Sequence, residues 1–233
     1  MNKLLSLLAP FMLVVSEAAT AHENDAELFV FVGELLEIEE LPDQCPRHEK
    51  PTEIKSTEDG IAIDSICIQF DALYRASYRV VDILVGSADS EIVTFEIADH
   101  YGFPDFAYFK NALLFLNDGP DAIWLEKYQG YAVHRTRDQS WATCGNPYDE
   151  RTGNQPRKLV QPQFENDLGT VGEFSEAGVR RVFGDRPHII IDENRVRCGA
   201  GVLIAEFYEI VRTGVLAARG IQLPKLSTVE NEL

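Results

Sequence analysis

Between residues 28 and 134 the chain is a series of β-patterned segments cut by turn chemistry, and this rhythm restricts it to a small, mainly β architecture. Residues 28–38 are rich in Phe, Val and Leu and apolar on both faces in their first half, as a buried strand requires. Gly33 interrupts that run, which predicts a bulge or sharp bend. Glu34, Glu37, Glu39 and Glu40 then mark the chain leaving the core, and Pro42 stops it. Residues 74–85 alternate, with Tyr74, Ala76, Tyr78, Val80 and Leu84 on one face and Arg75, Ser77 and Arg79 on the other. Residues 86–90 read as a hairpin loop, and 91–98 return with Val93, Phe95 and Ile97 inward and Thr94 and Glu96 outward. Residues 100–111 are aromatic and irregular, with one helical turn expected near 106–110. A short buried strand over 112–116, a turn at Asn117-Asp118-Gly119-Pro120 and a final strand over 123–134, broken at Gly130, complete the series.

Five strands, a bend in the first and an irregular segment before the fourth are the ingredients of a Greek-key barrel of the oligonucleotide/oligosaccharide-binding (OB) type. The predicted fold class is therefore mainly β (α+β), a five-stranded OB-like barrel with a C-terminal α/β extension. The expected organisation is a signal peptide over 1–21, a barrel domain over 22–148 and a linker over 149–174. An extension over 175–226, packed on the barrel, and a polar tail over 227–233 follow. In the extension, Ser175 is positioned to cap a helix over 176–183. Residues 189–197 read as a hairpin, and 203–216 as a helix with an apolar stripe of Leu203, Phe207, Ile210 and Val211. Residues 42–65 are read as a long loop with a turn at Glu58-Asp59-Gly60.

The first residues look like an address. Lys3, an apolar run over 4–15 and the small residues Ala19-Thr20-Ala21 have the layout of a cleaved secretory signal. The run is too short to span a bilayer, which takes about 20 residues. Export makes disulfides the default state of the four cysteines. Of the three pairings, Cys45 with Cys67 and Cys144 with Cys198 are favoured, because each closes one region of the chain. A free catalytic thiol is the alternative.

The formal net charge is −17. The expected signal carries one Lys and one Glu (Lys3, Glu17), so its removal leaves that value unchanged. Such a field disfavours nucleic acid and anionic membranes as partners. It serves solubility, or steers a basic partner or a cation.

Three segments resemble exported netrin-like domains, the class that includes the tissue inhibitors of metalloproteinases. Phe31-Val32-Gly33-Glu34-Leu35 resembles that class's first strand, and Tyr78-x-Val80-x-Asp82-x-Leu84-x-Gly86 its second. Phe109-Lys110-Asn111-Ala112-Leu113-Leu114-Phe115 resembles a third segment, and the likeness covers about residues 27–135. It implies the barrel. It does not carry over protease inhibition, because the inhibitors begin with a zinc-binding cysteine, whereas this mature chain is expected to begin with His22.

The candidate chemistry is sparse. His22, with His100, His134 or His188, would supply amine and imidazole ligands for copper. His48 and His134 are otherwise expected to be surface or structural residues. A hydrolase would need titratable groups such as Glu37, His100 and His134 to converge in one cleft. Ser65, Ser140 and Ser175 lie in no G-x-S-x-G context, and Gly199-Ala200-Gly201 lacks the third glycine of a dinucleotide site. The aromatic residues Tyr101, Phe103, Phe106 and Tyr108 either line a ligand surface or fill the barrel end. The function expected is a non-enzymatic binding or interaction module with no cofactor and an unidentified protein or small-molecule ligand. The alternatives are an extracytoplasmic hydrolase or a copper-binding protein.

Overall fold

The computed structural model describes residues 28–42, 55–57, 60–62, 70–119, 121–147, 160–170, 186, 188–192 and 195–226. The signal segment, His22, Cys45, Cys67, His48, Ser65, Ser175, the 176–183 helix and the tail lie outside them.

Five strands close a barrel. They are β1 (Phe29–Glu40), β4 (Ala72–Val85), β5 (Ile92–Asp99), β6 (Asn111–Asp118) and β7 (Ile123–Ala132), in the spatial order β1-β4-β5-β7-β6. All neighbours are antiparallel except β5 and β7, which meet in parallel at Glu96 and Trp124. That order, with one parallel seam, is the OB-type Greek key. The helical turn before the fourth barrel strand is a 3-10 turn, Asp105–Tyr108.

The two-sided apolar character of β1 and β6 has a direct cause, since each strand serves two cores. Inward, Phe31, Leu114 and Leu116 pack with Tyr78, Phe95 and Ile97 in the barrel interior. Outward, Val30, Val32, Leu113 and Phe115 pack beneath Phe207, Tyr208, Ile210 and Val211 of helix α1 (Ile204–Val211). The Phe115 and Tyr208 rings stack at 6.2 Å, and Tyr131 meets Phe207 edge-on at 4.7 Å. Each such side chain contributes about 1.5–3 kcal/mol by burial. Gly33 marks the expected bulge, with a register shift against β4. A Cβ there would lie 2.8 Å from the Phe31 ring and 2.9 Å from the Tyr78 ring, so glycine lets these rings close over the bent strand.

The remaining strands attach the extension. β8 (His134–Arg135), β9 (Trp141–Cys144) and β13 (Gly201–Leu203) form one small sheet, and β10 (Gly169–Thr170), β12 (Arg195–Cys198) and β11 (Ile189–Asp192) another. The β11–β12 pairing is the hairpin expected over 189–197. Cys144 and Cys198 are joined in a disulfide that links these two sheets. A Cβ on Gly201 would fall 1.9 Å from the Thr143 carbonyl oxygen, so the glycines before the helix serve close strand packing.

Several expectations need correction. The 42–65 loop carries a hairpin, β2 (Lys55–Thr57) with β3 (Gly60–Ala62), while Glu58 and Asp59 of the expected turn lie outside the described residues. The β4–β5 ladder ends at Arg79 and Ile92, so β4 runs on past β5 and the connection is longer than 86–90. Leu203 is exposed and ends β13, so the buried stripe of the helix starts at Phe207. That helix widens over Arg212–Leu216, where Glu209 holds Arg212 at 2.7 Å.

Candidate ligand-binding cleft

The interruption expected at Gly130 is a bulge just before it. Leu114 pairs with Gly130 and Leu116 with Leu125, so four residues, Glu126 to Gln129, stand opposite Phe115 alone. Tyr128 on this bulge has φ 62°. A bulky residue in the left-handed region costs about 1–2 kcal/mol, so the surroundings must hold it there. The Glu126 carboxylate accepts from Asn117 Nδ2 at 2.9 Å and from Arg219 at 2.5 Å. The Lys127 carbonyl accepts from Gln129 Nε2 at 2.9 Å and from Arg219 at 3.1 Å. Tyr131 OH donates to Gln129 Oε1 at 2.5 Å, which satisfies a buried amide.

The bulge forms one lip of a cleft of about 700 Å³ between the β5–β7 seam and the extension. The barrel contributes Ile97, Asp99, Leu125, Tyr128 and Tyr131, and the segment between β5 and β6 contributes Tyr101, Asp105, Phe106 and Phe109. Leu168 lines it from the 149–174 segment and Arg186 and Ile189 from the extension, and Cys144 brings the disulfide to its wall. Phe106 packs directly on the backbone of Gly130, where a Cβ would come within 2.4 Å of its ring. At the mouth the Tyr101 and Tyr128 rings lie 5.8 Å apart at 45°.

The four aromatic candidates divide. Tyr101, 75 % exposed, stands at the mouth, and Phe106 is buried against Gly130. Phe103 and Tyr108 turn to each other at 5.0 Å, and Phe103 meets Tyr74 edge-on at 5.7 Å. These two rings pack at the barrel end and do not line the cleft. His134 does line it, set between the edge-on rings of Phe109 at 5.2 Å and Phe164 at 5.9 Å. Burial pushes its imidazole down to about 4, so it is neutral at physiological pH.

The groups required for a hydrolase do not meet. Glu37 is exposed opposite Ser77 on the β1–β4 ladder, and His100 sits outside the cleft, 3.3 Å from Asp71. The Lys110 ammonium at 3.1 Å, with Arg79 at 2.9 Å, holds the Glu34 carboxyl below the usual range, so Glu34 is an ion-pair partner. Glu39 pairs with Arg75. His188 is buried. Among the described residues no three His, Cys, Asp or Glu side chains gather to hold a metal, and no helix is long and apolar enough to cross a membrane.

Reading the sequence missed Tyr128, Arg186 and the cleft position of His134. The one local sign was Gly130, which marks the end of the bulge without revealing which residue it projects. The fold is an OB-type barrel with an aromatic-lined cleft against its extension. No known protein family, no curated protein and no solved structure matches the chain.

Proposed function

We propose that this chain is an exported, non-enzymatic binding module whose ligand sits in the cleft between the barrel seam and the extension. One observation carries the reading: Tyr128 is held at φ 62° on a bulge braced by Asn117, Gln129 and Arg219, and its ring faces Tyr101 across the cleft mouth. Local strain maintained by surrounding contacts is concentrated at functional sites. The aromatic walls with a few polar groups, Asp99, Asp105 and Arg186, agree with the make-up of ligand sites. The apolar run and Ala19-Thr20-Ala21 support export, and the first-strand sequence around Gly33 together with the barrel order supports kinship with netrin-like domains.

A fragment screen followed by backbone NMR tests the site. Hits should shift the amides of Tyr101, Tyr128, Gly130 and His134, and lose affinity in the Tyr101→Ala variant. Hits that map consistently elsewhere, or none at all, would sink the reading. Amino-terminal sequencing of the exported protein should begin at His22.

A further inference from the structure

We propose that the cleft takes a basic side chain, lysine or arginine, presented by a partner polypeptide. This rests on the cleft being the binding site, and it names the ligand's chemistry.

The mouth is built of two tyrosine rings, and a cation over an aromatic face is attracted by the ring quadrupole. The chain provides its own example. The Lys127 ammonium lies 5.4 Å from the centre of the Tyr128 ring and 3.8 Å from the Asp71 carboxylate. Ring and carboxylate together thus hold one ammonium over Tyr128, although Lys127 and Asp71 do not themselves line the cleft. Asp99 and Asp105 line the cleft itself, and Asp99 accepts from the Tyr101 amide at 2.8 Å, which fixes that carboxylate beside the ring pair. Arg186 is the single guanidinium that lines the cleft among the described residues, where two carboxylates line it as well. His134 contributes no opposing charge, since burial keeps it neutral. The chain's net charge of −17 draws cations toward the rim from a distance.

The occupant is part of a polypeptide because the aromatic surface runs past the cleft. Phe70 is 70 % exposed, its carbonyl is 2.9 Å from His100 Nδ1, and the His100 ring meets Tyr101 edge-on at 5.6 Å. A ligand confined to the cleft would leave this continuation uncovered, whereas flanking residues of a chain would cover it. Tyrosine and phenylalanine are the residue types enriched where proteins meet.

The test uses nonapeptide libraries with degenerate flanks and a fixed central Lys, Arg, N-acetyl-lysine or Glu, titrated into the full oxidised chain. The backbone amides of Tyr101, Tyr128 and Gly130 are followed by NMR. The Lys and Arg libraries should shift these amides, and the acetyl-lysine and Glu libraries should bind at least about tenfold more weakly. Raising salt should weaken the Lys library. Asp99→Asn with Asp105→Asn should weaken it about tenfold, and the new amide at position 99 keeps the acceptor for the Tyr101 amide. Nε-acetyl-lysine binding as tightly as lysine overturns the inference on the native protein alone, as does Nα-acetyl-lysine methylamide, which keeps its side-chain ammonium but has no flanking chain, matching the Lys peptides. If no library shifts the cleft amides while fragments do, the inference falls and the site stands. If fragments fail as well, both fall.

Discussion

Arg219 reaches back along the chain to Glu126. Its guanidinium lies 2.5 Å from Glu126 Oε1 and donates to the Lys127 carbonyl at 3.1 Å. The segment after helix α1 therefore braces the bulge that projects Tyr128. The pair is only partly exposed, 34 % on the Arg219 side chain and 13 % on Glu126, so solvent screens it less than a surface pair.

Arg219→Ala should lower the unfolding free energy by about 1–2 kcal/mol, since hydrogen bonds to charged groups contribute about 1.5–3 kcal/mol and exposure discounts that figure. Its larger effect should be local. Amide hydrogen exchange at residues 126–129 should accelerate more than at β1 or β6. Equal acceleration throughout would show that Arg219 supports the whole barrel and not the bulge.

Tyr128 separates stability from binding. Glycine relieves the left-handed backbone that alanine still strains, a difference of about 1 kcal/mol. Tyr128→Gly should therefore be more stable than Tyr128→Ala by about that amount in chemical denaturation. Both should lose the aromatic contact with Tyr101 and bind the cleft ligand equally poorly. Equal stability of the two variants would argue against strain at this position.

Gly130→Ala should be destabilising by about 1–3 kcal/mol, because its Cβ would lie 2.4 Å from the Phe106 ring and overfill the contact. The combination with Phe106→Leu should cost less than the sum of the two single changes. Additive costs in a double-mutant cycle would show that the Phe106 ring does not meet residue 130.

The Cys144–Cys198 bridge closes a separation of 54 residues and sits between two small sheets. The chain-entropy argument gives about 4 kcal/mol for a loop of that length. Cys144→Ser with Cys198→Ser should lower stability by about 2–4 kcal/mol. Because Cys144 lines the cleft, binding should weaken as well, with the β1–β4–β5 ladder retained by NMR. Unchanged affinity would show that the bridge holds the extension without shaping the site.

Much of the barrel was legible because its strands obey simple periodicity. The alternation of Tyr74, Ala76 and Tyr78 with Arg75 and Arg79, and of Val93, Phe95 and Ile97 with Thr94, reappears as inside and outside of one wall. The apolar runs of β1 and β6 told of burial on both faces, though not that helix α1 covers the outer one. The site was less legible because it arises where the pattern fails. Tyr128 owes its position to three unpaired steps of register and to an arginine from the end of the described chain, and neither is encoded in the residues around it. Trp141–Cys144 gave no strand signal of its own, being a short strand whose partners, His134–Arg135 and Gly201–Leu203, are defined only by the fold. Phe103 and Tyr108 were indistinguishable from Tyr101 and Phe106 by residue type, and only their mutual packing separates them.

His134 makes stability depend on pH in a stated direction. An ordinary histidine titrates near pH 6.5, as it does in the unfolded chain. In the fold, burial between Phe109 and Phe164 pushes it down to about 4. Between those two values the unfolded chain binds a proton that the folded chain refuses, so stability rises with pH across that window. The contribution is therefore complete above about pH 6.5 and is lost as pH falls toward 4. With partial exposure discounted, the loss should be on the order of 1–3 kcal/mol. Carboxylates held low, such as Glu34 and Glu209, lose their contributions in the same direction but in a more acidic range. The clean measurement is thus the difference between wild type and His134→Phe at pH 5 to 7, since Phe keeps a ring between Phe109 and Phe164 and cannot titrate. As pH falls from 7 to 5 the wild type should lose stability relative to the variant. Parallel curves would show that His134 is solvated and titrates as it does in the unfolded chain.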